Sequence, residues 1–309
     1  MSWQKQNRVK NGREKQSWES EGVINVWELD FYSRPILDEN NKKVWEVLVC
    51  ESPLNVDRQP ESLFRYAEFC SSAEVNSVRL KGVIEAAIAQ APSPPDKIRF
   101  FRQAMNNMIA KACKELGIPA QLSQRTFVLN QWLRQRHQDV YPALPGFQPG
   151  KNPSVSFAKT PPQPLPDALL GEKWQFVTLS ASDVAEMNEW TIDFGEAFPL
   201  GLAGLAPDTQ IPGLLIFSAR ANPLAAWMSG LEVANVKFDS DYPTRLLLET
   251  GLNDRWTLAT LANQQVKTEA QNFEAAKQQA NGVHFLAVQV DPATEAFAGF
   301  WLLQTVNLA

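Results

Sequence analysis

The sequence predicts an α/β fold with two α/β domains, each holding a mixed sheet flanked by helices. Three observations predict it. Residues 26–51 alternate apolar and polar side chains in two runs, a pattern typical of a β-hairpin. Helical and strand patterns then follow one another along both halves of the chain. A proline-rich stretch over 142–170 separates the halves, and 309 residues are enough for two domains.

The hairpin is the clearest element. In its first arm Trp27, Leu29 and Phe31 alternate with polar residues, so one set of side chains is expected to face a core. The turn is predicted over 38–41, because Asn tolerates the left-handed backbone of a hairpin tip. Pro35 has no N–H to donate to a ladder, so the hairpin is expected to lie at a sheet edge, or to bend away from it, at that point.

Further elements complete the first half. Apolar residues at helical spacing predict three helices, and short apolar runs between turn residues predict two strands. In chain order these are a helix over 78–90, a strand over 97–102, a helix over 103–116, a strand over 119–123 and a helix over 126–140. This order of elements resembles a ribonuclease-H-like layout, and a restriction-endonuclease-like layout is the alternative.

The same patterns predict the second half. Its elements are a strand over 174–179, a helix over 181–189, a strand over 212–217, a helix over 222–231 capped by Asn222, strands over 233–238, 245–249 and 255–261, a helix over 264–280, and a closing antiparallel pair over 283–290 and 296–304. The predicted organisation is a basic disordered leader over 1–22, an N-terminal α/β domain over 23–141, a proline-rich linker over 142–170 and a C-terminal α/β domain over 171–309.

Composition excludes several classes of protein. A content of 44% hydrophobic and 20% charged residues is typical of a folded chain rather than a disordered one. No apolar run reaches the roughly 18 residues of a membrane-spanning helix, so no membrane insertion is expected. The three cysteines and two histidines lack the close spacing of metal ligands, and no glycine-rich nucleotide loop occurs. We therefore expect no metal and no cofactor, and reduced thiols in a cytosol-like compartment.

Charge is distributed unevenly along the chain. The net charge is −5, but residues 79–136 hold ten basic and only three acidic residues. Cations follow phosphates while aromatic rings stack bases, so this segment predicts a surface for single-stranded RNA. The alternative is that these cations are the solvated outer faces of helices. The candidate phosphate contacts are Lys97, Arg99, Arg102, Lys111, Arg134 and Arg136.

One group of carboxylates is consistent with an enzymatic function. Glu28 and Asp30 share one face of the first strand, and Glu46 could lie across from them, as in metal-dependent nucleases. Both nuclease patterns are incomplete, because Arg102 stands where a third acid is needed and Glu46 is not followed by the required lysine. We therefore predict a protein that is not an enzyme, with a metal-dependent nuclease as one alternative.

Two tryptophan-rich motifs are recognisable. WELDFYSRPILDENNKKVWEVLVCE over 27–51 and GFWLLQ over 299–304 closely resemble the translation-of-psaB (TAB) family of cyanobacteria and chloroplasts. The resemblance implies binding of A/U-rich single-stranded RNA in the 5′ region of an mRNA, and translation of photosystem I reaction-centre subunits. It also implies RNA binding by Trp301, Leu302 and Leu303, although large apolar residues in a strand are usually core.

The resemblance implies a location and partners as well. A cyanobacterial member would work in the cytoplasm, as chloroplast relatives would in the stroma, with the ribosome or photosystem assembly factors as further partners. The remaining alternative is a scaffold for protein interactions, in which the acidic C-terminal half docks a partner. Residues 151–309 carry a net charge of −8, against +3 for residues 1–150.

Overall fold

The computed structural model describes residues 24–150, 160–166, 169, 171 and 173–306. The predicted leader over 1–22 and part of the predicted linker lie outside these ranges. The elements of the first half are β1 (Val26–Leu37), β2 (Lys43–Ser52), β3 (Arg65–Cys70), α1 (Ser77–Gln90), β4 (Lys97–Phe100), α2 (Asn106–Glu115), β5 (Ala120–Leu122), α3 (Phe127–Gln135) and a π-helical turn (Arg136–Val140).

The first five strands form one mixed sheet in the order β3-β2-β1-β4-β5. Strand β2 is antiparallel to both of its neighbours, whereas β4 runs parallel to β1 and β5 runs parallel to β4. This order and polarity correspond to the ribonuclease-H-like layout, the first of the two that the sequence predicted. The mixed α/β class with flanking helices is confirmed.

The hairpin forms as predicted. Its turn is held by the Asp38 carboxylate, which accepts from the N–H of Asn40 and of Lys42 at 2.9 and 2.8 Å, while Asn41 has a φ of 57°. Strand β1 is interior to the sheet rather than at its edge. Its register with β2 shifts between Ser33 and Leu37, so the bend expected at the intervening proline is present.

Helices cover both faces of this sheet. Trp27, Leu29 and Phe31 pack with buried residues of α1 and α2 on one face, as the alternation predicted. On the opposite face α3 packs with Leu48 and Cys50 of β2. Because α3 covers that face, the polar side chains of β1 are buried rather than solvated, and this decides the character of the site described below.

The second half forms two further mixed sheets, in the orders β7-β9-β13-β14-β8 and β10-β11-β12-β6. Its elements are β6 (Gln163–Pro164), β7 (Lys173–Ser180), α4 (Ala181–Ala185), β8 (Ile192–Glu196), β9 (Gln210–Phe217), α5 (Ala221–Ser229), β10 (Val233–Asp239), β11 (Arg245–Thr250), β12 (Asp254–Thr260), α6 (Gln264–Gln279), β13 (Val283–Gln289) and β14 (Phe297–Gln304).

Three local expectations differ from the structure. Strands β3 and β8 were not predicted, although residues 65–70 alternate with period two. Asn222 lies inside α5, whose N-cap residue is Arg220. The proline-rich stretch, expected to lack regular structure, contributes the two-residue strand β6, which pairs with β12. Regular pairing is possible there because β6 lies at the edge of its sheet.

No helix in the described part of the chain is both long enough and apolar enough to cross a membrane. The division into the four predicted segments stays a prediction.

Candidate nucleic-acid interface

The six predicted phosphate contacts do not form one face. Lys111 on α2 and Arg134 on α3 are exposed, but these helices cover opposite faces of the sheet. Arg99 and Arg102 are only 1% and 5% exposed. The prediction that these cations share one exposed surface was therefore wrong, because folding turns the strand arginines toward carboxylates.

Asp30 holds two of the inward-facing arginines. Its Oδ2 lies 2.8 Å from Arg34 Nη1, and its Oδ1 lies 2.5 Å from Arg102 Nε. Burial by itself would raise the pKa of Asp30, but Arg102 and Arg34 outweigh it and hold that pKa below its ordinary value. Both carboxylate oxygens of Asp30 are therefore engaged with guanidinium groups.

Glu46 on β2 is engaged in the same way. Arg34 Nε lies 2.8 Å from its Oε2, the Tyr141 hydroxyl donates to the same oxygen at 2.6 Å, and Arg136 binds its Oε1. Glu46 is fully buried. We refer to the whole network as the sheet cluster, which consists of Asp30, Arg34, Glu46, Arg102, Arg136 and Tyr141.

Glu28 is the third carboxylate of the enzymatic hypothesis, and no arginine in the described part of the chain binds it directly. The Ser52 hydroxyl donates to its Oε1 at 2.7 Å, and the backbone N–H of Leu129 donates to its Oε2 at 2.7 Å. Burial raises the pKa of Glu28 to about 7, and these two hydrogen bonds only partly oppose it. Within the described ranges no group of three or more metal-ligating side chains comes together.

A second buried network, which we call the junction cluster, joins the two halves of the chain. Arg99 Nη2 lies 2.8 Å from Glu196 Oε1, and Arg99 Nε lies 2.5 Å from Glu232 Oε2. Lys97 also binds Glu232, and Arg125 Nε lies 2.9 Å from Glu196 Oε2. The junction cluster consists of Lys97, Arg99, Arg125, Glu196 and Glu232.

Arg125 also connects the junction cluster to the backbone of the second half. It donates from Nη1 to the backbone oxygens of Val233 at 2.9 Å and Leu302 at 3.3 Å. Burial would raise the pKa of Glu196, but Arg99 and Arg125 lower it to about 2. Arg99 was predicted as a phosphate contact, but its guanidinium instead forms ion pairs with carboxylates of the second half.

The motif that the family resemblance implies for RNA binding lies in the core. Trp301 is 2% exposed, and Leu302 and Leu303 are fully buried. Strand β14 is an interior strand, and a Cβ on Gly299 would stand 2.4 Å from the Trp301 ring, so this glycine makes room for the indole. The Trp301 ring is therefore not exposed for a base to stack on. Direct RNA contact by these residues would require β14 to leave the core.

An exposed strip remains on the face of the sheet that α3 covers. Strand β3 is at the sheet edge, and α3 leaves the outward side chains of Arg65, Ala67 and Phe69 exposed. We call these three residues the β3 strip. The Phe69 side chain is 38% exposed, which is unusual for a large aromatic residue in a strand. Among the described residues, Arg65 forms no ion pair with a carboxylate.

Helix α3 supplies further aromatic and cationic groups beside the β3 strip. The guanidinium carbon of Arg65 lies 5.7 Å from the centroid of the Trp132 ring, and that of Arg136 lies 5.5 Å from the same ring. Arg136 also lies 5.8 Å from the Phe69 ring. Such distances are those of cation–π contacts. Arg65 and Arg136 thus lie over the largely buried ring of Trp132, and Arg136 also lies over the exposed ring of Phe69.

Sequence reasoning missed Arg65 and Phe69, because it did not assign β3. The alternation of Arg65, Ala67 and Phe69 with Tyr66 and Glu68 was the available signal. It does not show which of the two sets is exposed, since that depends on where α3 ends across the sheet.

The fold and this site define a mixed α/β protein whose ribonuclease-H-like sheet carries arginine-paired carboxylates and an arginine–aromatic edge. Two family models match it. One, described as "RNA-binding protein Tab2/Atab2 N terminal", covers residues 26–136, and the other, "RNA-binding protein Tab2/Atab2, C-terminal domain", covers residues 152–304. The chain belongs to the Tab2/Atab2 family, which confirms the resemblance carried by the two motifs.

Relatives in plants match over most of the chain. "Protein TAB2 homolog, chloroplastic" of Arabidopsis thaliana is 42% identical over 288 residues, which are 91% of this chain and 74% of the relative. The Zea mays protein of the same description is 38% identical over 287 residues, covering 91% and 71%. A chain from the structure of a simian T-cell lymphotropic virus intasome in complex with a PP2A regulatory subunit is 12% identical. It has a TM-score of 0.30, covers 77% of this chain and 79% of its own, and supports no conclusion.

Proposed function

We propose that this chain binds single-stranded RNA along the β3 strip, with Trp132 and Arg136 beside it. The observation that carries the proposal is an exposed ring and an exposed guanidinium on one strand face, in a chain of an RNA-binding family. Bases stack on aromatic rings and guanidinium planes, and cations neutralise the phosphates. Of the earlier candidates, Arg134 is exposed on α3, which covers the face of the β3 strip, and Lys111 is exposed on the opposite face, whereas Arg99 and Arg102 are proposed to hold the fold.

The proposed RNA is A/U-rich and lies in the 5′ region of an mRNA. A/U-rich RNA is seldom folded, so its bases are free to stack on a protein surface. The chloroplastic relatives support a role in photosynthetic gene expression. We propose that the chain promotes translation and biogenesis of photosystem reaction-centre subunits, those of photosystem I in the first place. It would do so in the cytoplasm of a cyanobacterium, with the ribosome or photosystem assembly factors as partners.

The proposed function involves no catalysis. Metal-dependent cleavage of a phosphodiester needs carboxylate oxygens that can coordinate the ion. Here Arg34 and Arg102 hold the oxygens of Asp30, and Arg34, Arg136 and Tyr141 hold those of Glu46. Incubation of labelled A/U-rich RNA with the protein and Mg²⁺ or Mn²⁺ should leave the RNA intact. Products that accumulate with protein concentration would support the nuclease alternative.

The binding proposal is tested by fluorescence anisotropy with a labelled A/U-rich RNA over a range of salt concentrations. Arg65→Ala should weaken binding similarly for all sequences and reduce the slope of log K against log salt by about 0.7 for one lost phosphate contact. Phe69→Ala should weaken binding by roughly five-fold or more, because base stacking contributes about 1–3 kcal/mol. Its salt slope should not change.

Lys111→Ala is the matched control, because it also removes one exposed cation but from the opposite face of the sheet. It should leave both the affinity and the salt slope as in the wild type. If Lys111→Ala weakens binding and Arg65→Ala does not, the interface lies on α2. If the wild type binds no RNA but retains a protein partner after RNase treatment, the scaffold alternative is favoured.

A further inference from the structure

A cavity of about 230 Å³ lies beside the π-helical turn, and the proposed RNA interface does not account for it. Its lining includes two rings, Pro35 and Phe147, and two polar side chains, His137 and Gln148. Sites for drug-sized ligands occupy roughly 300–1,000 Å³, so this cavity suits something smaller, such as a single heterocycle. Rings with a few polar groups are what a flat, hydrogen-bonding base requires.

The walls of the cavity are fixed by backbone pairing. The segment around Phe147 runs antiparallel to the bend in β1, where Leu37 N–H donates to Gly146 O at 2.9 Å and Gln148 N–H donates to Pro35 O at 2.8 Å. A Cβ on Gly146 would stand 2.0 Å from Leu37 O, so only glycine allows this approach. Pro35, in the stretch where the register of β1 with β2 shifts, thus lines the cavity opposite a segment fixed by backbone pairing.

His137 reaches the cavity from the π-helical turn, a type of distortion that is frequent at functional sites. Its ring packs edge-on against Tyr141, with centroids 4.9 Å apart. Burial, together with Arg34 and Arg102, lowers the pKa of His137 below its ordinary value. A neutral imidazole presents one donor and one acceptor, which suits the edge of a base better than a phosphate.

Two residues, Tyr141 and Arg136, connect the cavity to the β3 strip. The Tyr141 ring packs against His137, and the guanidinium carbon of Arg136 lies 5.5 Å from the centroid of the same ring. Arg136 in turn lies over Phe69 of the β3 strip. A strand of RNA that stacks on Phe69 could therefore place a base further along the same strand at the cavity.

We propose that this cavity holds one unstacked nucleobase of the bound RNA, between Pro35 and Phe147 and against the polar groups of His137 and Gln148. This inference rests on the proposed function, because it adds a subsite for a single base to the same interface. The proposed occupant is a base of a bound single strand rather than a free nucleotide, because the cavity is proposed as part of the RNA interface and the described lining residues include no lysine or arginine for a terminal phosphate.

The test is a double-mutant cycle that combines substitutions in the full-length protein with abasic positions in the RNA. An abasic residue is moved along the shortest A/U-rich RNA that binds at full affinity, so that the RNA cannot shift its register. For the wild type, removing the base at one position should weaken binding about ten-fold more than removing a base that stacks elsewhere on the protein. In Phe147→Leu, which keeps an apolar side chain but removes the ring, the loss at that position should fall to about two-fold or less.

Gln138→Ala is the matched control, because Gln138 is exposed on the same π-helical turn and does not line the cavity. It should reproduce the wild-type abasic pattern. If Phe147→Leu does not melt like the wild type, Gln148→Ala takes its place in the cycle. If the wild type binds RNA but Phe147→Leu weakens intact and abasic RNA equally, the base site is wrong and the proposed function stands. If the wild type binds no RNA, the proposed function itself fails.

Discussion

The junction cluster and the β3 strip use arginine in opposite ways. Arg99 is buried, and carboxylates from the second half of the chain hold its guanidinium. Arg65 is exposed, and its guanidinium lies over an aromatic ring. The difference shows that a local excess of arginine in a sequence can include two kinds of residue. Some arginines are available to a ligand, and others neutralise buried acids elsewhere in the chain.

The junction cluster and the β3 strip should therefore contribute differently to the stability of the fold. A buried charge without a partner is costly, whereas an exposed arginine contributes little. The junction cluster is therefore expected to determine how firmly the two halves are joined, and the β3 strip is expected to affect binding with little effect on stability.

The largest effect is expected for Arg99→Ala. It leaves the buried Glu232 and the half-buried Glu196 with fewer cationic partners, so the free energy of unfolding should fall by about 3–5 kcal/mol. The measurement is urea denaturation followed by tryptophan fluorescence. Arg134→Ala, which removes an exposed arginine of α3, should change the unfolding free energy by less than about 0.5 kcal/mol. An equal loss in both variants would remove the distinction between buried and exposed arginines.

The next largest effect concerns Glu28, whose native pKa of about 7 exceeds the ordinary 4.5. Between these values the native state holds a proton that the unfolded state has released, so this group makes stability fall as pH rises from about 4.5 to 7. Glu28→Gln removes the titrating group, so this pH-dependent fall in stability should disappear. Relative to the wild type, its unfolding free energy should rise by up to about 3 kcal/mol between pH 5 and pH 8.

The replacement amide can retain both hydrogen bonds at this position. Its oxygen can accept from the Leu129 N–H, and its nitrogen can donate to the Ser52 hydroxyl, which accepts as well as donates. Glu85→Gln on the exposed face of α1 is the matched control and should show no pH-dependent gain. A wild type and Glu28→Gln with parallel pH profiles would show that Glu28 is ionised in the native state across this range.

Apart from the control variants, the smallest effect on stability is expected for Arg65→Ala. It removes one exposed cation–π contact with Trp132, which contributes about 0.5–1 kcal/mol. The same variant should lower RNA affinity and the salt slope, as described above. A loss of several kcal/mol in the unfolding free energy would place Arg65 with the structural arginines instead, and any effect on RNA would then follow from misfolding.

Much of the fold could be predicted from local patterns. The hairpin, the three helices of the first half and the closing pair of strands over 283–304 were all recognised, because their periodicity or turn residues are encoded within a few neighbours. Strands β3 and β8 were missed. Residues 65–70 do alternate, but both sets of side chains include charged and apolar residues, so no face was evident.

The candidate site could be predicted only in part. Recognition of the family from 27–51 and 299–304 was correct, but the residues assigned to RNA were mostly buried. Trp301 illustrates the reason. Its motif is distinctive because a large ring and a glycine must pack together in an interior strand, so the signal that identifies the family here reflects the core.

Local patterns in the chain were enough to recognise most of the strands and helices, and the family, because these depend on residues adjacent in the chain. Which charges face solvent became clear only from the packed fold. Asp30 meets Arg102, and Arg99 meets Glu196, across about 70 and 100 residues of chain, so neither pairing is visible in a local pattern. Burial is a property of the packed whole, and it separates the arginines that hold this fold from those free to meet a ligand.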